Sequence, residues 1–227
     1  MPYIILLAII LLLMFLPQWW VKYIMQKYSK PINALPGTGG ELARHLIEQY
    51  QLPVTLETTE AGDHYDPQSK TVRLSPEHYN GKSLTAIAIA AHEVGHAIQD
   101  HKQDQLLTLR GVMVKNAQRF EKLGSGIIIA APLLGALSHS PAAGILIGII
   151  GLLSIGSMVL VHLISLPVEF DASFNKALPV LEAGQYVTRR DLIPIRQVLL
   201  AAALTYVAAA LAGLLNVWRW IAILLRR

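Results

Sequence analysis

The stretch Ala90-Ala91-His92-Glu93-Val94-Gly95-His96-Ala97-Ile98-Gln99 decides how this chain is to be read. It lies in a segment from about Ser83 to Asp100 whose alanine content predicts a helix. His92 and His96 are four residues apart, so on a helix they share one face, one turn apart. Two imidazoles so placed can converge on one zinc ion, and Glu93, beside the first of them, can reach a water on that ion rather than the ion itself. Residues 84–91 are all small or apolar apart from Thr85, which predicts a buried helix. Burying two imidazoles and a carboxylate without partners is costly, so the residue types favour a metal site. The plainer alternative has both histidines as hydrogen-bonded core residues with Glu93 exposed. Gly95 is expected to leave room near the backbone for a ligand to approach.

Working upstream, Ser75-Pro76 reads as a helix start, with serine as cap and proline in the first turn. Lys70 to Leu74 alternates polar with apolar and predicts a strand, one that could offer a free edge to an extended substrate. Asp66-Pro67 carries turn chemistry, and Val54 to Thr58 is expected to be extended. Thr38 with Glu41 three residues later forms a capping-box pattern for a helix reaching about Tyr50. Downstream, residues 103–122 predict a further helix.

The flanks are of another kind. Hydrophobic residues make up 53% of the 227 and charged residues only 15%, against roughly 25% charged in soluble chains. The apolar residues are gathered into long runs. Tyr3 to Val21 is uncharged, with Lys22, Lys27 and Lys30 following it, so it reads as an uncleaved anchor with its N-terminus outside. Gly124 to Leu137 is short for a span, about 21 Å as a helix, while Ala142 to Val168 is long enough to cross outright. Ser138-His139-Ser140-Pro141 between them lacks Lys and Arg and is expected outside. Residues 169–196 carry Lys176, Arg189, Arg190 and Arg196 and are expected inside. A final run begins at Gln197; Arg226 and Arg227 would then lie outside, unless the end from Asn216 lies in the membrane plane. Gly144, Gly148, Gly151 and Gly156 permit close helix packing in lipid. The net charge of +4 is spread beside these runs, with no basic patch interleaved with aromatics, so nucleic acid is not an expected partner. Cysteine is absent, which excludes thiolate ligands and cysteine nucleophiles.

A zinc site of this kind needs a third protein ligand and an open position. Glu169 lies on the same side as His92 if residues 123–168 cross twice, and Pro167 is expected to open the helix that carries it. Asp171, His101, His78, His64 and His162 are its rivals. For the donor that would face the tetrahedral oxyanion, His64, His78, Tyr79 and His101 are all open.

His78-Tyr79-Asn80, the block Ala90 to Gln99, and Leu166-Pro167-Val168-Glu169-Phe170-Asp171-Ala172-Ser173 together resemble the YugP-type membrane zinc metallopeptidases of bacteria, a gluzincin-like family, over nearly the whole chain. The resemblance implies one catalytic Zn2+ held by His92, His96 and Glu169, with Glu93 catalytic. In the wider class an aspartate often follows the liganding glutamate by four residues and supports a zinc-bound histidine. Here that position is Ser173, and the nearby acid is Asp171, which leaves these two as candidates for the supporting role.

The expected protein is mainly α, a multi-pass membrane protein with a compact zincin-like metallopeptidase domain and a small β element. Its expected parts are an N-terminal anchor (1–21), a cytoplasmic zincin-like domain (22–122), a transmembrane hairpin (123–168), a cytoplasmic segment with the third ligand (169–196) and a C-terminal transmembrane helix (197–227). The expected activity is zinc-dependent hydrolysis of peptide bonds by an activated water, in membrane proteins or hydrophobic peptides, on the cytoplasmic side of the bacterial inner membrane. A metal transporter or sensor would carry acids and histidines in several spans, where only His162 qualifies. A catalytically silent membrane protein would be indifferent to zinc loss.

Overall fold

The computed structural model describes residues 2–137 and 140–225; the expectations for Ser138, His139, Arg226 and Arg227 fall outside them. Among the described residues, eight α-helices and one three-stranded sheet are formed: α1 (Pro2–Lys27), α2 (Gly39–Gln49), β1 (Thr55–Thr58), β2 (His64–Asp66), β3 (Thr71–Leu74), α3 (Pro76–Asn80), α4 (Leu84–His101), α5 (Gln105–Leu137), α6 (Pro141–Phe170), α7 (Leu178–Ala183) and α8 (Leu192–Leu225), with a π-helical turn, Asp171–Ala177, between α6 and α7. The fold is therefore mostly α with a small sheet, as the sequence predicts. The chain divides into two compact units, residues 1–108 with 166–205, and residues 109–165 with 206–227.

In the first unit α4 is the central element. Its residues from Leu84 to Gln99 are all buried, and it starts where the Ser83 hydroxyl accepts from Ala86 N at 3.1 Å, an N-cap. α2 begins with the predicted capping box: Thr38 Oγ1 accepts from Glu41 N at 3.2 Å while Glu41 Oε2 accepts from Thr38 N at 2.7 Å. It buries Leu42, Ala43 and Leu46. The end of α1 is fastened to α4, since Thr85 Oγ1 donates to Met25 O at 2.9 Å and Thr85 N to Tyr28 O at 3.2 Å.

The sheet has the order β1-β3-β2, with β1 parallel and β2 antiparallel to β3. Lys70 to Leu74 could have offered a free edge or formed a small hairpin; β3 pairs on both sides, with β2 as its hairpin partner, and has no edge to offer. The reason is β2, three residues that turn chemistry hides in the sequence. Asp66 closes the hairpin by accepting from Gln68 N, Ser69 Oγ and Arg73 Nη1, and these bonds, led by that of Ser69, hold its carboxyl down at about 2. Tyr65 OH donates to Asp100, which also pairs with Lys70 Nζ at 2.5 Å, so the hairpin is tied to the C-terminal end of α4.

Two further boundaries differ from expectation. Residues 103–122 and the run from Gly124 are one helix, α5, since nothing between them breaks the pattern. Pro167 does not open a helix but lies inside α6. In the second unit, a Cβ on Gly151 would lie 2.4 Å from Ile128 Cγ1 and 3.1 Å from Gly124 O, whereas one on Gly156 would meet nothing nearer than 4.0 Å. Of these two, Gly151 is closely packed and Gly156 is not. Among the described residues, Ile145–Ala183 and Leu192–Leu215 are long and apolar enough to cross a membrane, which indicates membrane association.

Candidate metal centre

His92 and His96 sit on one face of α4 with ring centroids 4.7 Å apart and planes at 78°. The end of α6 brings Glu169 against them: its Oε2 stands 3.2 Å from His92 Nε2 and 3.4 Å from His96 Nε2. All three residues are buried, Glu169 at 1% exposure. Of the rivals for a third ligand, His64, His78, His101, His162 and Asp171 do not join this cluster, which is His92, His96 and Glu169. Glu93 is buried beside it at 7% exposure.

The outer nitrogens of both rings are spoken for. Ser173 Oγ lies 3.1 Å from His92 Nδ1 and 3.2 Å from Leu199 O. A carbonyl only accepts, so the hydroxyl donates to Leu199 and accepts from Nδ1–H. Gln99, which the sequence reasoning passed over, does the same for the second histidine. Its Nε2 donates to Val168 O at 3.0 Å and Asp171 Oδ2 at 2.7 Å, so its Oε1, 2.8 Å from His96 Nδ1, accepts from that ring. The spacing of three from His96 on a helix could have pointed to Gln99. Both imidazoles therefore carry their proton on Nδ1 and turn a lone pair on Nε2 toward a carboxylate.

Three buried electron-pair donors facing one another at contact distance repel unless a cation lies among them. The separations also fit, since a tetrahedral site with Zn–N and Zn–O bonds near 2.0–2.1 Å has ligand-to-ligand edges of about 3.4 Å. The donor set, two imidazoles and a carboxylate, is that of catalytic zinc sites with one position left open.

The π-helical turn after Glu169 places these partners. Its hydrogen bonding reaches five residues back, Leu178 N donating to Ser173 O, and such turns are frequent at functional sites. Ser173 meets His92 directly. Asp171 points elsewhere and binds Lys176 Nζ at 2.8 Å and Asn175 Nδ2 at 2.9 Å; it touches His96 only through Gln99. Gly95 was expected to leave room for a ligand, but that space is filled by the turn: a Cβ there would lie 2.8 Å from Ala172 O.

Two buried imidazoles one turn apart on α4, their oriented partners and an adjacent glutamate define a zinc-peptidase type of site. The chain belongs to the family described as "Putative neutral zinc metallopeptidase", whose model matches residues 3–225, and it is a zinc metallopeptidase, a hydrolase of peptide bonds. It is 36% identical over 216 residues to the "Putative membrane protease YugP" of Bacillus subtilis (strain 168), covering 94% of this chain and 92% of that protein. No solved structure matches it.

Proposed function

We propose that this chain is a multi-pass membrane endopeptidase in which His92 Nε2, His96 Nε2 and Glu169 hold one zinc ion and Glu93 is the catalytic carboxylate. The observation that carries the assignment is the paired locking of both Nδ1 atoms, by Ser173 and by Gln99, which aims both Nε2 lone pairs at Glu169. Such outer partners orient a ligating imidazole and raise its basicity. Zinc supplies Lewis acidity and a water made acidic enough to attack at neutral pH. Glu93 takes a proton from the attacking water as its oxygen bonds to the scissile carbonyl carbon. The same carboxyl then gives the proton to the amine nitrogen as the C–N bond breaks, so the balance is one water consumed and two chain ends released.

The substrates we propose are membrane proteins or hydrophobic peptides. Support comes from the site's position in the chain. Glu169 follows directly on the long apolar stretch of α6, and residues 197–215 of α8 are apolar again. Lys22, Lys27 and Lys30 after the first apolar run, and Lys176, Arg189, Arg190 and Arg196 between the last two, favour a cytoplasmic site with the N-terminus outside. The test is cleavage of casein and of a single-span membrane peptide by the purified full-length chain in detergent micelles. Loss of cleavage on chelation and its return with Zn2+ is the expected result; cleavage indifferent to chelation contradicts it.

A further inference from the structure

The two imidazoles of the site are backed by chains of hydrogen bonds that end differently. Behind His92 the chain is neutral: Nδ1–H donates to Ser173 Oγ, whose own O–H donates to the backbone carbonyl of Leu199. Behind His96 it ends on a carboxylate. Nδ1–H donates to Gln99 Oε1 at 2.8 Å, and Gln99 Nε2 donates to Asp171 Oδ2 at 2.7 Å.

Asp171 is held for this by its own turn. The i→i+5 winding of the π-helix stacks residues five apart, and Lys176 Nζ reaches both carboxylate oxygens, Oδ2 at 2.8 Å and Oδ1 at 3.1 Å. Asn175 Nδ2 donates to Oδ1 at 2.9 Å. Every printed partner of Asp171 is thus an N–H donor, an arrangement that favours the ionised acid. The stem of Lys176 is itself seated on α4, its Cβ 3.4 Å from where a Cβ on Gly95 would stand.

The amide between histidine and carboxylate has no freedom to turn over. Its Nε2 hydrogens are taken by Val168 O at 3.0 Å and by Asp171 Oδ2. A reversed amide would set Oε1 against a carbonyl and a carboxylate, and Nε2 against Nδ1–H. Gln99 is 1% exposed, so water cannot repair those contacts, and leaving such groups unmatched in the interior is expensive. Hydrogen bonds in series also polarise one another. Negative charge at the Nε2 end makes Oε1 a better acceptor, and a better acceptor at Nδ1 makes Nε2 of the ring a better electron-pair donor.

We propose that Asp171, acting through Gln99, is the carboxylate that supports zinc binding by His96, while Ser173 orients His92 without charge. The acid missing at position 173 is in this way supplied from position 171, to the other histidine. Asp171 and Gln99 are positioning residues, and their role rests on the metal centre proposed above.

The experiment measures zinc affinity, by competition with a zinc-binding dye, and the visible absorption bands of the Co2+-substituted protein. It uses the full-length chain in detergent micelles, with Asp171→Asn, Gln99→Glu/Asp171→Asn and Glu169→Ala beside the parent. Asp171→Asn keeps the shape and a carbonyl for Gln99 and removes only the charge; zinc affinity is expected to fall about 10-fold, with the Co2+ bands shifted. Adding Gln99→Glu puts the charge directly on His96 Nδ1–H, with the new amide at 171 donating to it. Affinity and Co2+ bands should return toward those of the parent, which also carries the test if the single variant folds poorly. Recovery is not expected of a merely structural role, because Gln99→Glu gives up the bond to Val168 O. Parental affinity in Asp171→Asn, or a further loss in the double variant, with Glu169→Ala free of metal, overturns the charge support alone. No zinc on the parent chain, or zinc that Glu169→Ala binds equally well, overturns the metal centre and this role with it.

Discussion

Ser173 Oγ stands 3.1 Å from His92 Nδ1 and donates its own hydrogen bond to Leu199 O. A hydroxyl thus stands where the resemblance led one to look for a carboxylate, and it fixes the tautomer without adding a charge. Removing it frees the ring to rotate and to exchange its proton between nitrogens. Ser173→Ala is expected to weaken zinc binding roughly 10- to 100-fold, the usual effect of losing such a partner. Gln99→Leu should cost at least as much, because it also strands Val168 O and one bond of Asp171. Competition with a zinc-binding dye measures both; unchanged affinity in either variant contradicts the orienting role.

Gly95→Ala tests how the two halves of the site are held together. The added methyl would lie 2.8 Å from Ala172 O, a backbone atom that cannot swing aside. Overpacking of this kind costs about 1–3 kcal/mol, here by pushing the π-helical turn, and Glu169 and Ser173 with it, off α4. A lowered melting temperature together with weakened zinc binding is expected. A loss of stability with zinc binding intact would mean that the turn adjusts without moving Glu169.

The sequence made the metal helix legible because its signals are local: a four-residue histidine spacing, an alanine-rich lead and a serine cap. The capping box at Thr38 and Glu41 and the turn at Asp66 were legible for the same reason. What it concealed depends on contacts between distant segments. β2 is only three residues long and its side chains carry no strand signature, so β3 looked like an edge. The π-helical turn has no compositional mark, and with it the filling of the space at Gly95 stayed hidden, while Ser173 and Asp171 were both open as the histidine's partner and only the turn brings Ser173 to His92. Pro167 looked like a helix start because proline favours first turns; in α6 the helix continues through it. Asp63 Oδ2 lies 2.7 Å from His78 Nδ1 but 15 residues away in the chain, so nothing in the spacing linked them.

The Asp63–His78 pair gives stability a defined pH window. Burial pushes the Asp63 carboxyl up, but His78 and Ser75 overcome this and hold it below its usual 3.8; His78 is raised above its usual 6.5. The carboxylate's contribution is present above 3.8 and fades as pH falls through the lowered value. The histidine's contribution is complete below 6.5 and fades as pH rises through the raised value. The pair is thus whole between about pH 4 and 6.5. Melting temperatures of the parent chain and Asp63→Asn should differ most in that window and converge on either side. A difference independent of pH contradicts the ion pair.

The absence of cysteine makes topology simple to probe. Single cysteines at Glu60 and Ser140 report on opposite sides of the membrane in the proposed arrangement. A membrane-impermeant maleimide should label Ser140→Cys in intact cells and Glu60→Cys only after lysis. The reverse pattern would move the active site outside, and labelling of both in intact cells would contradict a crossing between Glu60 and Ser140.

The most direct test of the central claim is zinc stoichiometry measured on the same preparations used for cleavage. Glu93→Gln is predicted to retain one zinc per chain and lose cleavage, because Glu93 moves a proton and does not hold the metal. Glu169→Ala is predicted to lose the zinc and the cleavage together. Zinc retained at parental affinity in Glu169→Ala, or cleavage preserved in Glu93→Gln, would contradict the assignment of these two carboxylates.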